Sequence, residues 1–271
     1  MAKVADILAR GPSYSFEFFP PKTDEAERQL ELTLVELEEL RPSFVSITYG
    51  AGGTTRERTH DLVVRILRET SMTPMAHLTC AAHSKAELVD ILTRYRDAGV
   101  ENVLALGGDP PADLGLPPGD FRRALELVDL AREVGNFSVG VAAHPEMHPS
   151  SADRASDREH LAAKLRHADF AITQFFFRES DYFGLIDELA AHGVDKPVVP
   201  GIMPITNLSS VSRMAKLSGA AVPDEVVGKL EGAADDPDEV RRRGVELATE
   251  LCQRLLDGGA PGLHFYTLNR S

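Results

Sequence analysis

The sequence predicts an α/β protein, a closed barrel of eight parallel strands with helices outside. Eight short runs rich in β-branched and aromatic residues alternate with longer amphipathic stretches along the 271 residues. The runs cover 14–20, 44–49, 75–80, 102–107, 137–143, 170–177, 197–203 and 262–268. A strand-then-helix unit repeated eight times over about 250 residues is typical of a TIM-barrel-like fold.

The stretches between the runs have the apolar spacing of amphipathic helices. The clearest are 24–40, 59–70, 85–99, 120–135 and 179–193, and several end in Gly, which favours a helix C-cap. In the first of these, the side expected to be buried carries Leu30, Leu32, Leu34, Val35 and Leu37.

The spacing between the seventh and eighth runs is irregular, and it predicts helices over 207–218 and 238–257. The sequence given stops at Ser271, just after the eighth run. We therefore expect the barrel to lack a regular C-terminal closing helix, with 238–257 covering that side.

An open, doubly wound sheet is the alternative fold. The Gly-rich segment GAGGTT at 50–55 follows the second run instead of the first, and its last position is Thr55, so it does not match the dinucleotide fingerprint. The sequence has no Walker-type phosphate loop either. These observations favour the closed barrel, and we treat 1–271 as one domain.

Composition limits the class of partner. The chain is 43% hydrophobic and 26% charged, with a net charge of −13 from 29 basic and 42 acidic residues, which argues against nucleic acid or an anionic membrane. The N-terminus does not resemble a signal peptide, and no segment approaches the ~20 apolar residues of a membrane helix. Cys80 and Cys252 show no metal or disulfide spacing. We expect a cytoplasmic protein that acts on small molecules, and the composition is compatible with a homo-oligomer.

The first strand, YSFEFFPPK at 14–22, carries an acid among aromatic residues. A lone carboxylate is costly to bury unless it is paired or protonated. Because alternate residues of a barrel strand face the lumen, placing Phe16 and Phe18 against the helices turns Glu17 into the mouth. The alternative is a structural Glu held by a lysine or by backbone donors.

Other strand ends carry polar residues that are weak signals singly. They are His77 and Thr79 in the third run, Asp109 in LGGDPP, HPEMHP after the fifth run, Gln174 in the sixth and Tyr266 in the eighth. The His spacing in HPEMHP is compatible with a metal, but Pro145 and Pro149 oppose a helix there and no third ligand is evident. We predict no metal site.

Taken together, the motifs SFEFFPPK, VSITYGAGG, HLTC, LALGGDPP, VAAHPEMHP, ITQFFF, PGIMPI and LHFYTLNR closely resemble those of the methylenetetrahydrofolate reductase family, in order and over essentially the whole chain. The resemblance implies a βα barrel that reduces 5,10-methylenetetrahydrofolate to 5-methyltetrahydrofolate. It implies that Glu17 is the catalytic acid. The implied folate-binding residues are Asp109, Gln174, Met214 (in place of a folate-stacking Phe) and Tyr266. The residues implied at the cofactor side are Thr48, Tyr49, Gly50, His77, Gly107, Ala143 and His144.

The family's reaction explains an acid in this position. The bridging methylene must open to an iminium before it accepts hydride, which requires protonation of a poorly basic amine. A carboxylic acid in an apolar surround can stay protonated and supply that proton, and we expect Phe16, Phe18 and Phe19 to provide the surround. An anionic Asp109 would accept hydrogen bonds from the pterin.

The departures from the family concern the flavin. Most members hold FAD, but this chain has Gly107 where the family has an Arg near the flavin phosphates, and His144 where many have Tyr. The segment before the sixth run is one residue shorter and lacks an Ala-Gly-Ala. These changes favour a flavin-free variant in which NADH, or NADPH, gives hydride directly to the folate. The alternatives are an FAD-dependent ping-pong reductase and a non-catalytic pterin-binding barrel. An aldolase-like lyase ranks below them, because no strand-end Lys suits a Schiff base.

Overall fold

The strands form one all-parallel sheet in the computed structural model, which describes residues 2–50, 55–108, 115–116, 118–207, 221–233 and 236–270. Their order is β7-β6-β5-β4-β3-β2-β1-β9-β8. They are β1 (Ser13–Phe18), β2 (Phe44–Ile47), β3 (Pro74–Thr79), β4 (Asn102–Leu106), β5 (Ser138–Ala143), β6 (Phe170–Thr173), β7 (Val198–Val199), β8 (Gly201–Ile202) and β9 (Gly262–Tyr266).

The sheet closes because β7 and β8 are two halves of one strand. Only Pro200 separates them, and proline has no N–H to donate to a ladder. The first half pairs with β6 and the second with β9, while the carbonyl of Pro200 accepts from His264 N at 3.0 Å. The strands therefore occupy eight positions around a barrel, and the predicted fold is confirmed.

Helices follow most strands and pack outside the barrel. They are α1 (Val4–Leu8), α2 (Asp24–Glu38), α3 (Arg56–Glu69), α4 (Lys85–Ala98), α5 (Ala124–Val134), α6 (Arg154–His167), α7 (Glu179–Ala191), α8 (Asp224–Glu231) and α9 (Pro237–Asp257). The helix predicted over 207–218 lies, beyond Asn207, outside the described residues. None of the helices in the described ranges is long and apolar enough to span a bilayer.

The predicted buried side of α2 is partly wrong. Leu30, Leu34 and Leu37 are buried against the barrel, but the side chains of Leu32 and Val35 are 61% and 64% exposed. The buried three recur at four- and three-residue intervals, which places them on one face, whereas the other two lie on the solvent side.

Helix α1 closes the lower end of the barrel. Its Val4 N donates to Asn102 Oδ1 at 2.8 Å, and Ala5 N donates to Ser138 Oγ at 3.1 Å. Side chains of α1 pack there with inward-facing apolar residues, including Phe44 and Phe170. The lower half of the lumen is thus filled, which leaves the carboxyl ends of the strands as the end where a site can form.

Candidate active site

A cavity of about 400 Å³ opens at the carboxyl ends of the strands. Residues from most of the strands line it, as expected for the catalytic face of a βα barrel. The predicted site residues that line it are Glu17, Thr48, Tyr49, His77, His144, Gln174 and Tyr266. The fold therefore brings together residues from the two ends of the sequence, such as Glu17 and Tyr266.

Glu17 lies at this cavity and is only 7% exposed. Its Oε2 is 3.6 Å from His77 Nε2 and 3.8 Å from His264 Nε2. Within the described ranges, its ion-pair partners are these two imidazoles, and it pairs with no Lys or Arg there. The prediction that Glu17 faces the mouth is confirmed.

The prediction that Phe16, Phe18 and Phe19 surround the Glu17 carboxyl is wrong for the first two. Phe18 is fully buried in the outer core and Phe16 packs against the same cluster, so both point away from the carboxyl. Of the three predicted phenylalanines, Phe19 alone lines the cavity. Strand alternation forces this result, because Phe16 and Phe18 flank Glu17 and must face the opposite side of the sheet.

His77 completes one wall beside the carboxyl. Its burial lowers the pKa of the imidazole to about 4, with Glu17 acting in the opposite direction. Its Nε2 is buried and has no hydrogen-bond partner. A neutral imidazole with an unused nitrogen therefore faces the acid.

The folate-side residues are partly described. The Tyr266 hydroxyl donates to Thr173 O at 2.6 Å, and burial raises the pKa of this phenol well above its usual range. Gln174 Oε1 accepts from Phe175 N at 3.0 Å, which fixes the side-chain amide at the cavity edge. Asp109 and Met214 lie outside the described residues.

Tyr49 is held by a residue that sequence reasoning missed. The phenol and His83 Nε2 are 2.9 Å apart, and His83 Nδ1 lies 2.8 Å from Ala81 O. Since a carbonyl can only accept, Nδ1 carries the hydrogen and Nε2 accepts from the phenol of Tyr49. Burial raises the pKa of Tyr49 to about 12, so the phenol stays protonated and can donate.

Three other predicted cofactor residues do not line the cavity. Gly50 N donates to Thr55 Oγ1 at 2.7 Å, and Gly107 O accepts from Ala81 N at 3.0 Å. Ala143 is buried in the outer core, on the opposite face of β5 from Ala142. Contact with a ligand at these positions would involve backbone.

His144 lies at the far wall, against His148, with ring centroids 4.5 Å apart in an edge-to-face arrangement. Burial, followed by the charges of His148 and Lys164, lowers the pKa of His144 to about 4. No group of three metal-ligating side chains with suitable placement occurs in the part of the chain that the structure describes.

Two buried cations behind this wall donate hydrogen bonds to backbone carbonyls. Arg158 is fully buried and binds the carbonyls of His144, Pro145 and Glu146. Lys164 Nζ donates to Ala142 O at 2.9 Å, and burial lowers the pKa of this ammonium to about 8. Sequence reasoning missed both, because neither lies in a strand-end motif.

Comparison with known proteins identifies the family of this chain. The family model for methylenetetrahydrofolate reductase matches residues 3–271. A 5,10-methylenetetrahydrofolate reductase of Pectobacterium carotovorum subsp. carotovorum is 37% identical over 258 residues, covering 95% of this chain and 86% of that protein. An Arabidopsis thaliana protein named methylenetetrahydrofolate reductase (NADH) 1 is 34% identical, covering 98% of this chain and 48% of that protein.

The fold itself has a similar solved structure. It is a Clostridium thermocellum protein described as binding two copies of 5-methyl-5,6,7,8-tetrahydrofolic acid, with a TM-score of 0.67 and 14% identity over 98% of this chain and 92% of that one. At that identity the likeness concerns the fold alone. The family match and the bacterial relative, by contrast, extend over nearly the whole chain, and the chain belongs to the methylenetetrahydrofolate reductase family.

Proposed function

We propose that this protein reduces 5,10-methylenetetrahydrofolate to 5-methyltetrahydrofolate with hydride delivered directly from NADH. The observation that carries the proposal is the cavity at the strand ends, where one buried carboxyl, Glu17, faces a space large enough for two stacked rings. The NADH relative supports the choice of donor, because its name specifies that nucleotide.

In the proposed reaction Glu17 protonates the folate amine that leaves the bridging methylene. The C–N bond breaks with its electron pair on that nitrogen, and the methylene becomes an iminium on the other nitrogen. Hydride from C4 of the nicotinamide then adds to the iminium carbon, which gives a methyl group and NAD⁺. One proton is consumed in each turnover, and Glu17 regains it from solvent after product release.

The two substrates are assigned to opposite walls. Gln174 and Tyr266 flank the pterin, with Asp109 and Met214 as the further folate contacts implied by the family. The nicotinamide is assigned to the wall formed by Thr48, Tyr49, His77 and His144. Gly50, Gly107 and Ala143, which do not line the cavity, are proposed to meet the nucleotide through their backbone. Direct transfer requires the donor and acceptor carbons at about 3–3.5 Å, so both rings must share the cavity.

The described residues of the cavity wall lack the cationic side chains that the phosphates of FAD require. The cavity wall in the described ranges contains three imidazoles and one carboxylate but no Lys or Arg. Lys164 and Arg158, the buried cations nearby, already bind the backbone. A diphosphate is commonly held by such cations, and without them its desolvation is uncompensated. We therefore derive no step through a flavin.

Spectra and initial-rate kinetics of the freshly purified protein test this proposal. We expect a colourless protein that needs no added FAD and gives intersecting double-reciprocal lines when both substrates are varied. Parallel lines, together with stoichiometric FAD released on denaturation, would establish the ordinary flavin-dependent reductase. Folate binding without NADH consumption would indicate a pterin-binding barrel.

A further inference from the structure

Beneath Glu17 the barrel contains a polar unit made of Ser15, Ser46 and His264, which we term the polar floor. All three residues are fully buried. They belong to neighbouring strands β1, β2 and β9, in which Ser15 pairs with His264 and Glu17 pairs with Ser46. Ser15 and His264 therefore lie one inward position below Glu17, and Ser46 is in register with Glu17 on the neighbouring strand.

The imidazole of His264 is fixed at both nitrogens. Its Nδ1 is 2.8 Å from Ser15 Oγ, and its Nε2 is 3.3 Å from Ser46 Oγ. The hydroxyl of Ser15 also lies 3.3 Å from Leu263 O, which it can reach only as a donor. That hydroxyl has one hydrogen, which goes either to Leu263 O, with Nδ1 donating to Ser15, or to Nδ1 itself. In both cases Nε2 is the nitrogen turned toward Ser46 and Glu17.

The faces of the same ring are fixed as well. Phe44 stacks against it with centroids 5.9 Å apart and an interplanar angle of 12°, and Tyr266 meets it edge-on at 5.5 Å. A histidine that only filled space would not need a hydroxyl partner at each ring nitrogen. Burying three polar side chains together costs stability unless each is bonded, so the arrangement has a defined geometry.

Nε2 of this ring lies 3.8 Å from Glu17 Oε2. The same carboxyl oxygen lies 3.6 Å from His77 Nε2. Glu17 thus rests with one oxygen against two imidazoles. His264 is fully buried although its ring borders the bottom of the cavity, and the acid of the proposed reaction lies within 3.8 Å of its Nε2, so we expect it to act on the reaction through Glu17.

We propose that His264, clamped by Ser15 and Ser46, is a positioning residue that holds the Glu17 carboxyl in the orientation from which it protonates the folate amine. This inference rests on the proposed function, in which Glu17 is the acid. The titratable groups packed around the ring are Glu17 of β1, His77 of β3 and Tyr266 of β9.

The test uses Ser15→Ala and Ser46→Ala, which release one nitrogen each and leave the imidazole in place. Ser138→Ala is the matched control, because Ser138 is equally buried but accepts from Ala5 N at the opposite end of the barrel. We expect both floor variants to lose about tenfold in kcat, since small misplacements of a catalytic group are costly. KM for methylenetetrahydrofolate should change less than twofold, and the pH profile of kcat should shift relative to wild type and the control.

A second readout does not depend on turnover. The infrared carbonyl band of the Glu17 carboxyl group, assigned by its loss in Glu17→Gln, reports the hydrogen bonding of that group in either protonation state. We expect its frequency to move in Ser46→Ala and Ser15→Ala and to stay constant in Ser138→Ala. An inactive wild-type protein would overturn the proposed reaction, but the infrared comparison would still decide the positioning role. Floor variants that match the control in kcat, pH profile and carbonyl frequency would overturn this inference.

Discussion

We expect the buried imidazole of His144 to make the stability of this protein sensitive to mild acid. Burial and the neighbouring His148 and Lys164 lower its pKa from an ordinary 6.5 to about 4. The unfolded chain therefore binds a proton at this residue between those two values, whereas the folded chain does not. Stability from this residue is complete above pH 6.5 and is lost as the pH falls toward 4.

The size of the effect follows from the two pKa values. Linkage gives a loss of about 2 kcal/mol in the free energy of unfolding at pH 5 relative to neutral pH, and about 3 kcal/mol when the loss is complete. Replacing His144 by Gln removes the titration but keeps a polar side chain of similar length. The variant should therefore lose about 2 kcal/mol less than wild type between pH 7.5 and pH 5.

Urea unfolding at the two pH values measures this difference directly, with the slope of the transition checked for constancy. His160→Gln is the matched control, because His160 is an exposed residue of α6 and the same substitution is made. Carboxylates that also titrate in this range affect all three proteins equally. Equal pH dependence in wild type and His144→Gln would show that His144 is not held neutral by its surroundings.

The remaining predictions concern the reaction. Glu17→Gln should abolish reduction while folate still binds, with a loss beyond the ~10²–10⁴ of general acid catalysis, and near-normal turnover would remove Glu17 from the mechanism. Asp109→Asn and Gln174→Ala should weaken folate binding more than nucleotide binding in titrations, with Asp109→Asn the more damaging; unchanged folate affinity in both would contradict their assignment. His83→Ala should raise KM for NADH but not for folate, because the phenol of Tyr49 loses its acceptor. A KM for NADH equal to that of wild type would show that His83 does not support nucleotide binding through Tyr49.

The barrel was predictable because its signal is local and repeated. Each strand is a short apolar run, each helix has a stripe of the right spacing, and eight such units close with helices outside. The split of the seventh strand follows from one residue, Pro200, in the run 197–203. Helix α1 was not predicted, because five residues carry too little periodicity to separate from a loop.

The site was predictable where strand alternation and family motifs agree. Glu17 faces the cavity as expected, since its neighbours in β1 must face the helices. The polar floor was missed although Ser15 shares a face with Glu17 along the strand. Its partner His264 is 249 positions away, and nothing in either local pattern shows that the two strands are neighbours until the barrel closes.

The same limit explains the wrong surround for Glu17. Neighbours in sequence were counted as neighbours in space, whereas a strand separates them onto opposite faces. The imidazoles that do contact the acid come from β3 and β9. A prediction that paired inward residues across adjacent strands, instead of along one strand, would have placed His77 beside Glu17.

Direct hydride transfer from NADH to the folate is tested most directly by isotope tracing. The protein is supplied with NADH that carries deuterium at both C4 positions. Methylenetetrahydrofolate is kept limiting, so that a reduced flavin, if one were present, would have time to exchange its hydrogen with solvent. Direct transfer predicts one deuterium in the methyl group of 5-methyltetrahydrofolate for each NADH oxidised. A methyl group that instead carries hydrogen from solvent would show that a carrier with an exchangeable hydrogen intervenes, and it would contradict the account.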